Sequence, residues 1–358
     1  MSRHLILRVH TDAQLGFGHV ARALAIAEAW SGLGGTVCLA VSGGSGAERI
    51  GAGLHPWRDE PLGLEAAFLG PDLATSLPSD LVARAQAVLV DVWSPVAAHL
   101  ELGGQCPVAL YEDEGDLHEG AQLLFQPYLE GVQWPTSPVR VIDGRKVKPM
   151  ETRRGGCRVL RGSDTIVVSP AARDLRPRRE PIQPLSVHRL LVTFGGTDGP
   201  GLTERALEVI RRLMARGSYL GTCTLVAPRG IVGRPVPGCT VVERFPDLSR
   251  RILDHDAIWC AAGVTLADAV CLGVPAAAWG QNPRQQDLIA DLGMANACLN
   301  LGLGTEADLD HTVDALERWL GPEGQDSRQE QTRDGMALID GSGALRVAQA
   351  LWTLSAQG

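Results

Sequence analysis

The chain is poor in aromatic residues, only 4% of its 358 positions, and has no excess of basic charge. A formal net charge of −8 excludes a general nucleic-acid binder, because neutralising phosphates takes a basic face. Long apolar runs are missing too: no stretch of about 18 apolar residues occurs that would span a membrane, and charge enters the N-terminal segment by Arg8 and Asp12, against a signal peptide. The eight cysteines, at 38, 106, 157, 223, 239, 260, 271 and 298, include no C-x-x-C pair and no Cys/His cluster of metal-site spacing. They read as reduced thiols, and the expected setting is the cytoplasm, without a metal site.

What is present is small and aliphatic: 45% of residues are apolar, mostly Ala, Leu and Val, which suits close packing of helices on a parallel sheet. The length suits two domains of about 150 to 180 residues each. Strand-like runs HLILRV (4–9), TVCLAVS (36–42), AVLVDVW (87–93), PVALYED (107–113) and QLLFQP (122–127) alternate with helical stretches at 19–30 and near 46–52. That alternation predicts parallel strands joined by right-handed crossovers. Residues 131–186 break the rhythm with Pro, Gly and arginines 153, 154, 158, 161, 173, 176, 178 and 179, although TIVVSP (165–170) reads as a last short strand. The arginine-rich stretch is either a solvated connector or a receiver of an anionic substrate. From 188 the alternation restarts, with an amphipathic helix in GLTERALEVIRRLMARG. The expected fold class is α/β, two Rossmann-like doubly wound domains facing a central cleft. The expected domains are 1–170 and 188–342 with a linker at 171–187, and a helix in 343–358 packs back on the first domain.

Four turns follow strand candidates. LGFGHVAR (15–22) puts Gly16 and Gly18 in a tight turn and His19 in the first turn of a helix, whose positive end favours a neutral imidazole able to accept a proton. FGGTD (194–198) offers backbone N–H groups and the Thr197 hydroxyl to a diphosphate, or is a strand-to-helix turn closed by an Asp or Thr cap. AAGVTLAD (261–268) repeats the arrangement with Gly263 and Thr265, and sets Asp268 one turn into the helix, where a carboxylate either takes ribose hydroxyls or complements the helix dipole. QNPRQQ (281–286) projects amides suited to sugar hydroxyls or forms a surface loop.

The run Arg8, His10, Asp12, Gln14 into LGFGHVAR, with LLVTFGGTDGPGLT and AAGVTLADAVCLGVPAAAWG…RQQDLIADLG, resembles the UDP-sugar hydrolase family of pseudaminic acid biosynthesis over nearly the whole length. That family shares the two-domain GT-B fold with the UDP-GlcNAc transferase of lipid II synthesis, to which the second half is also similar. The resemblance implies a UDP-sugar substrate cleaved at its anomeric carbon, with UDP leaving and no cofactor or metal. By matching positions His19 is the general base, Gly16 and Gly18 frame the diphosphate side of the cleft, and Arg22 of the same motif binds substrate. Gly196 and Thr197 contact phosphate, Asp268 takes the ribose, Gln285 and Gln286 the sugar, Phe245 lies near the base, and Gly263 and Thr265 are further substrate-binding residues. The family usually has Asp at His10, Glu at Asp268 and Asn-Gln at Gln285–Gln286, and the Gln-Gln pair is nearer the transferase pattern. The leading expectation is a hydrolase. The alternatives are a glycosyltransferase using a hydroxyl acceptor and a nucleotide-sugar binder without turnover.

Overall fold

Apolar runs alternating with Ala- and Leu-rich segments fold into two parallel sheets, one in each of two units. The computed structural model describes residues 3–12, 16–56, 59–92, 95–101, 106–112, 117–127, 150–154, 156–198, 200–227 and 236–356. The first unit takes its described residues from 3–127, 150–167 and 342–356, the second from 168–341.

The strands of the first unit are β1 (His4–Thr11), β2 (Thr36–Gly43), β3 (Glu65–Phe68), β4 (Ala87–Asp91), β5 (Val108–Tyr111), β6 (Leu123–Gln126), β7 (Met150–Arg154) and β8 (Cys157–Arg161). Their order is β3-β2-β1-β4-β5-β6-β8-β7. All neighbours are parallel except β7, which runs antiparallel to β8 at the edge. The order reverses between β1 and β4, and at such a switch point the chain leaves the two strand ends in opposite directions and opens room for a ligand. Helices α1 (Gly18–Gly32), α2 (Ser45–Gly51) and α3 (Ser79–Val82) accompany this sheet.

In the second unit β9 (Arg189–Thr193), β10 (Thr222–Val226), β11 (Cys239–Val242), β12 (Ala257–Ala261), β13 (Ala276–Gly280) and β14 (Leu299–Leu303) form an all-parallel sheet, β11-β10-β9-β12-β13-β14. Its helices are α4 (Pro170–Leu175), α5 (Leu202–Ala215), α6 (Leu248–Leu253), α7 (Val264–Leu272), α8 (Pro283–Met294), α9 (Leu309–Leu320) and α10 (Gln325–Leu338). The chain then supplies α11 (Gly343–Leu354) to the first unit.

Helical spacing explains the packing. Val20, Ala23, Ile26, Ala27 and Trp30 of α1 lie on one buried stripe with Leu5, Leu7 and Val9 of β1 and Val347, Ala348 and Leu351 of α11. Trp30 also meets Trp352 at 4.9 Å between ring centres. In the second unit Leu202, Ala206, Val209 and Leu213 bury one face of α5. Beneath the strand ends Phe194, Trp259 and Trp279 pack ring to ring at 4.5 to 5.6 Å. No helix among the described residues is long and apolar enough to cross a membrane.

Some expectations need correction. TIVVSP forms no strand: a 3-10 turn covers Ser163–Thr165, the Thr165 carbonyl accepts from the Tyr111 hydroxyl at 2.7 Å, and Ile166 and Val167 are buried without a ladder partner. Part of the arginine-rich stretch, expected as a solvated connector or an anion receiver, is the hairpin β7–β8, in which buried Cys157 and Val159 alternate with a two-residue period that the surrounding arginines mask in the sequence. Residues 171–187, expected as a linker, lie in the second unit: Gln183 donates to Thr332 of α10 at 2.9 Å, and the Val187 N–H to the Leu320 carbonyl at 2.8 Å. Residues 131–149 of the irregular stretch, and Gln14 and Leu15 of the first motif, lie outside the described residues.

Candidate active site

At the switch point of the first sheet β1 and β4 lie side by side, Val9 opposite Asp91, and α1 rises directly from the turn after β1. Gly16 makes that turn possible: its φ of 67° is open to glycine and strained for other residues, and its carbonyl accepts from the Thr11 hydroxyl. His19, in the first turn of α1, therefore reaches Asp91 at the carboxyl end of β4, with Nδ1 2.7 Å from Oδ1. Both are buried, His19 at 9% and Asp91 at 1% exposure.

Arg22 sits one turn further along α1. Its Nε donates to Asp91 Oδ2 at 2.7 Å, Nη2 to Oδ1 at 2.7 Å and Nη1 to Glu112 Oε1 at 3.0 Å. The guanidinium lies 4.0 Å over the Tyr111 ring. Burial alone would raise the pKa of Asp91, but the charges and hydrogen bonds of Arg22 and His19 hold it down at about 2. An ionised carboxylate only accepts, so His19 Nδ1–H donates to Asp91, and in the neutral ring the lone pair is on Nε2. Arg22 Nη2 stands 3.2 Å from Nδ1, but both nitrogens are donors in this tautomer and each is directed at Asp91 Oδ1 rather than at the other.

Arg22, expected to touch substrate, thus commits three of its five N–H groups to two carboxylates within the protein. Sequence reading passed over Asp91 and Glu112. The signal for Asp91 was available, since AVLVD closes an apolar strand with an acid at the carboxyl end, where α/β sites form. His10, at the end of β1, bonds Ser42 at 2.8 Å through Nδ1 and lies 3.4 Å from Asp12 through Nε2. Burial lowers its pKa, and Asp12 partly opposes the shift.

In the second unit the FGGTD, AAGVT and QNPRQQ turns follow β9, β12 and β13, three neighbouring strands, so all three stand at one carboxyl edge. They are not equivalent. In FGGTD, Asp198 is buried and its carboxylate accepts the Leu202 and Thr203 N–H groups at 2.8 and 2.9 Å, so the first donors of α5 are already taken. Gly196 is exposed and Thr197 half-buried in the turn before it. By contrast α7 begins at Gly263 with no side-chain cap and no acid in its first turn, and open space surrounds the position of a Gly263 Cβ. Its N-terminal N–H groups, with Thr265 beside them, are the donors suited to a diphosphate.

Asp268 departs from its expected role. It is 5% exposed, and its carboxylate accepts the Ser169 N–H at 2.8 Å, the Ser169 hydroxyl at 2.6 Å and the Ser249 hydroxyl at 3.1 Å. Burial with only neutral donors pushes its pKa up to about 6. This carboxyl is occupied by α4 and α6 and does not present itself to a ribose. Asn282 caps α8 through the Gln285 N–H at 3.0 Å, and the Gln285 side chain is tied to Gln281 at 3.0 and 3.3 Å. Gln286 stays half-buried, with no side-chain partner among the described residues, where Gly280 lets α8 start against β13. Phe245 is half-buried in the segment before α6, with the Arg251 guanidinium 5.3 Å over its ring.

Comparison with solved structures matches this architecture over almost the full length. MurG of Acinetobacter baumannii superposes with a TM-score of 0.60 at 13% identity, covering 98% of this chain and 99% of that one. The spinosyn forosaminyltransferase SpnP gives 0.61 at 16% identity, over 99% of each chain. The chain has the GT-B fold. The glycosyltransferase VinC, solved in complex with dTDP, gives 0.54 at 14%, over 99% of this chain and 100% of that one. Among curated proteins, the spore coat polysaccharide biosynthesis protein SpsG of Bacillus subtilis (strain 168) is 23% identical over 210 residues, 57% of this chain and 61% of its own length. The matched stretch thus spans less than two thirds of that relative. No protein-family model matches the chain.

Proposed function

We propose that this GT-B protein transfers a glycosyl group from a nucleoside-diphosphate sugar to a hydroxyl acceptor. The observation that carries the reading is the buried His19–Asp91 pair at the switch point of the first sheet, with Nδ1 committed and Nε2 able to accept. His19 takes the acceptor O–H proton on Nε2 and the oxygen forms its bond to the anomeric carbon. The carbon–oxygen bond to the diphosphate breaks, and the nucleoside diphosphate leaves with the electron pair. Asp91 orients the ring and stabilises the imidazolium that forms. The reading assigns donor binding to the second unit, with the N–H groups at the start of α7 answering the departing charge, Thr265, Gly196 and Thr197 beside the phosphates, Gln286 toward the sugar and Phe245 toward the base.

The likeness to named glycosyltransferases supports transfer over the hydrolysis expected from the glycine-histidine turn. The purified chain, incubated with UDP- and dTDP-sugars, should release nucleoside diphosphate only when an acceptor alcohol is added. Equal release in water alone would replace the transferase reading with the hydrolase.

A further inference from the structure

The charge network around the base extends one residue beyond what the proposed chemistry needs. Glu112 follows β5 with a φ of 62°, in the left-handed region where a side chain strains the backbone and glycine does not. Its N–H donates to the Phe125 carbonyl at 2.9 Å, which holds the strained residue at the sheet edge. From there its carboxylate reaches Arg22 Nη1 at 3.0 Å, with its side chain 17% exposed. Arg22 is thereby gripped from two sides, by Asp91 along one edge and Glu112 at the other, and lies flat on Tyr111. Tyr111 is itself anchored through its hydroxyl to the Thr165 carbonyl. Without Glu112 the outer nitrogen of Arg22 loses its carboxylate, and the guanidinium is free to tilt off the Asp91 oxygens that orient His19.

We propose that Glu112 is a positioning residue for the base: it holds Arg22 in the plane that keeps the Asp91 carboxylate aligned on His19 Nδ1. This rests on the reading of His19 as the base. Two variants separate positioning from structure. Glu112→Ala keeps the backbone strain and loses the carboxylate, while Glu112→Gly loses both. Stability follows the backbone, so Gly melts above Ala; activity follows the carboxylate, so kcat falls by about tenfold in both, with KM for the nucleotide sugar unchanged. Glu112→Gln, which keeps an oxygen for Arg22, loses less. If kcat instead tracks melting temperature, with Gly more active than Ala, or stays at the wild-type level, the proposal is overturned.

The proton on His19 Nδ1 gives a readout that needs no turnover. Its NMR resonance should be sharp in the wild type and broadened by exchange in Glu112→Ala and Glu112→Gly. Broadening in a protein that turns over no nucleotide sugar would leave the positioning role standing and bring down the transferase reading alone. An unchanged resonance would bring down the positioning role.

Discussion

Asp91, which ends β4, and Asp268, within α7, are both almost fully buried carboxylates, one in each unit, yet one is held at about 2 and the other pushed up to about 6. The difference lies in their partners. Asp91 faces a guanidinium and an imidazole, whose charges outweigh its desolvation. Asp268 faces a backbone N–H and two hydroxyls, which satisfy its lone pairs and supply no charge. Burial sets the cost of ionisation, and the charge of the neighbour decides whether the cost is met. The first unit therefore holds a fixed anion beside an imidazole, whereas the second holds a carboxyl hydrogen-bonded to Ser169 and Ser249.

The sharpest way to break this contrast is at the base. His19→Ala should lower kcat by about a hundred to ten thousand fold with KM for the nucleotide sugar little changed, measured by nucleoside diphosphate release in the presence of acceptor. A comparable rise in KM with kcat intact would move His19 from proton transfer to binding.

Asp91→Asn comes next, costing about 3 kcal/mol at pH 7 because Arg22 keeps only one of its two carboxylates. Urea unfolding reads the loss, and a shift under 1 kcal/mol would show that the network is not a strong interaction. The pH dependence has a definite sign. The pKa of Asp91 lies below the ordinary 3.8, so its contribution, about 2 kcal/mol, is present above about pH 4 and disappears as pH falls toward 2.

Asp268→Asn should act in the opposite sense. With a folded pKa of about 6 against 3.8, the native state holds its proton more tightly than the unfolded chain, so this group destabilises as pH rises from about 4 to 6. The asparagine variant should match wild type at pH 4 and exceed it at pH 8, by at most about 3 kcal/mol. Thermal melts at the two pH values check the crossover, and a loss at both would mean that the carboxylate has a charged partner.

The smallest expected effect is at the start of α7. Gly263 has an extended φ of −167° and open space where a Cβ would stand, so Gly263→Ala should change stability by less than about 0.5 kcal/mol. If a diphosphate approaches those N–H groups, the same methyl should weaken UDP or dTDP binding by roughly 1 kcal/mol. Calorimetry with unchanged affinity would place the diphosphate elsewhere.

Much of the scaffold was legible in the residues. The runs LILRV, VLVD and AIWCA are mostly apolar because their strands are covered on both faces, and the glycine turns after the first and last mark where strand gives way to helix. His19 stood out because a histidine after Gly-x-Gly at a helix start is locally conspicuous. The partners of Asp268 and Arg22 were not legible, because a helix position says where a side chain begins and says nothing of what it meets. Ser169, which takes the Asp268 carboxyl, lies 99 residues away in sequence, and Glu112, which takes Arg22, lies 90 away.

By itself, then, the order of residues determined the elements, their parallel arrangement and the turns that carry polar groups, since hydrophobic period and glycine conformation act over a few positions. Only the tertiary structure decided which buried charges meet. His19 and Asp91 stand 72 residues apart along the chain and 2.7 Å apart in space. Coulomb and hydrogen-bond energies depend on the second distance alone.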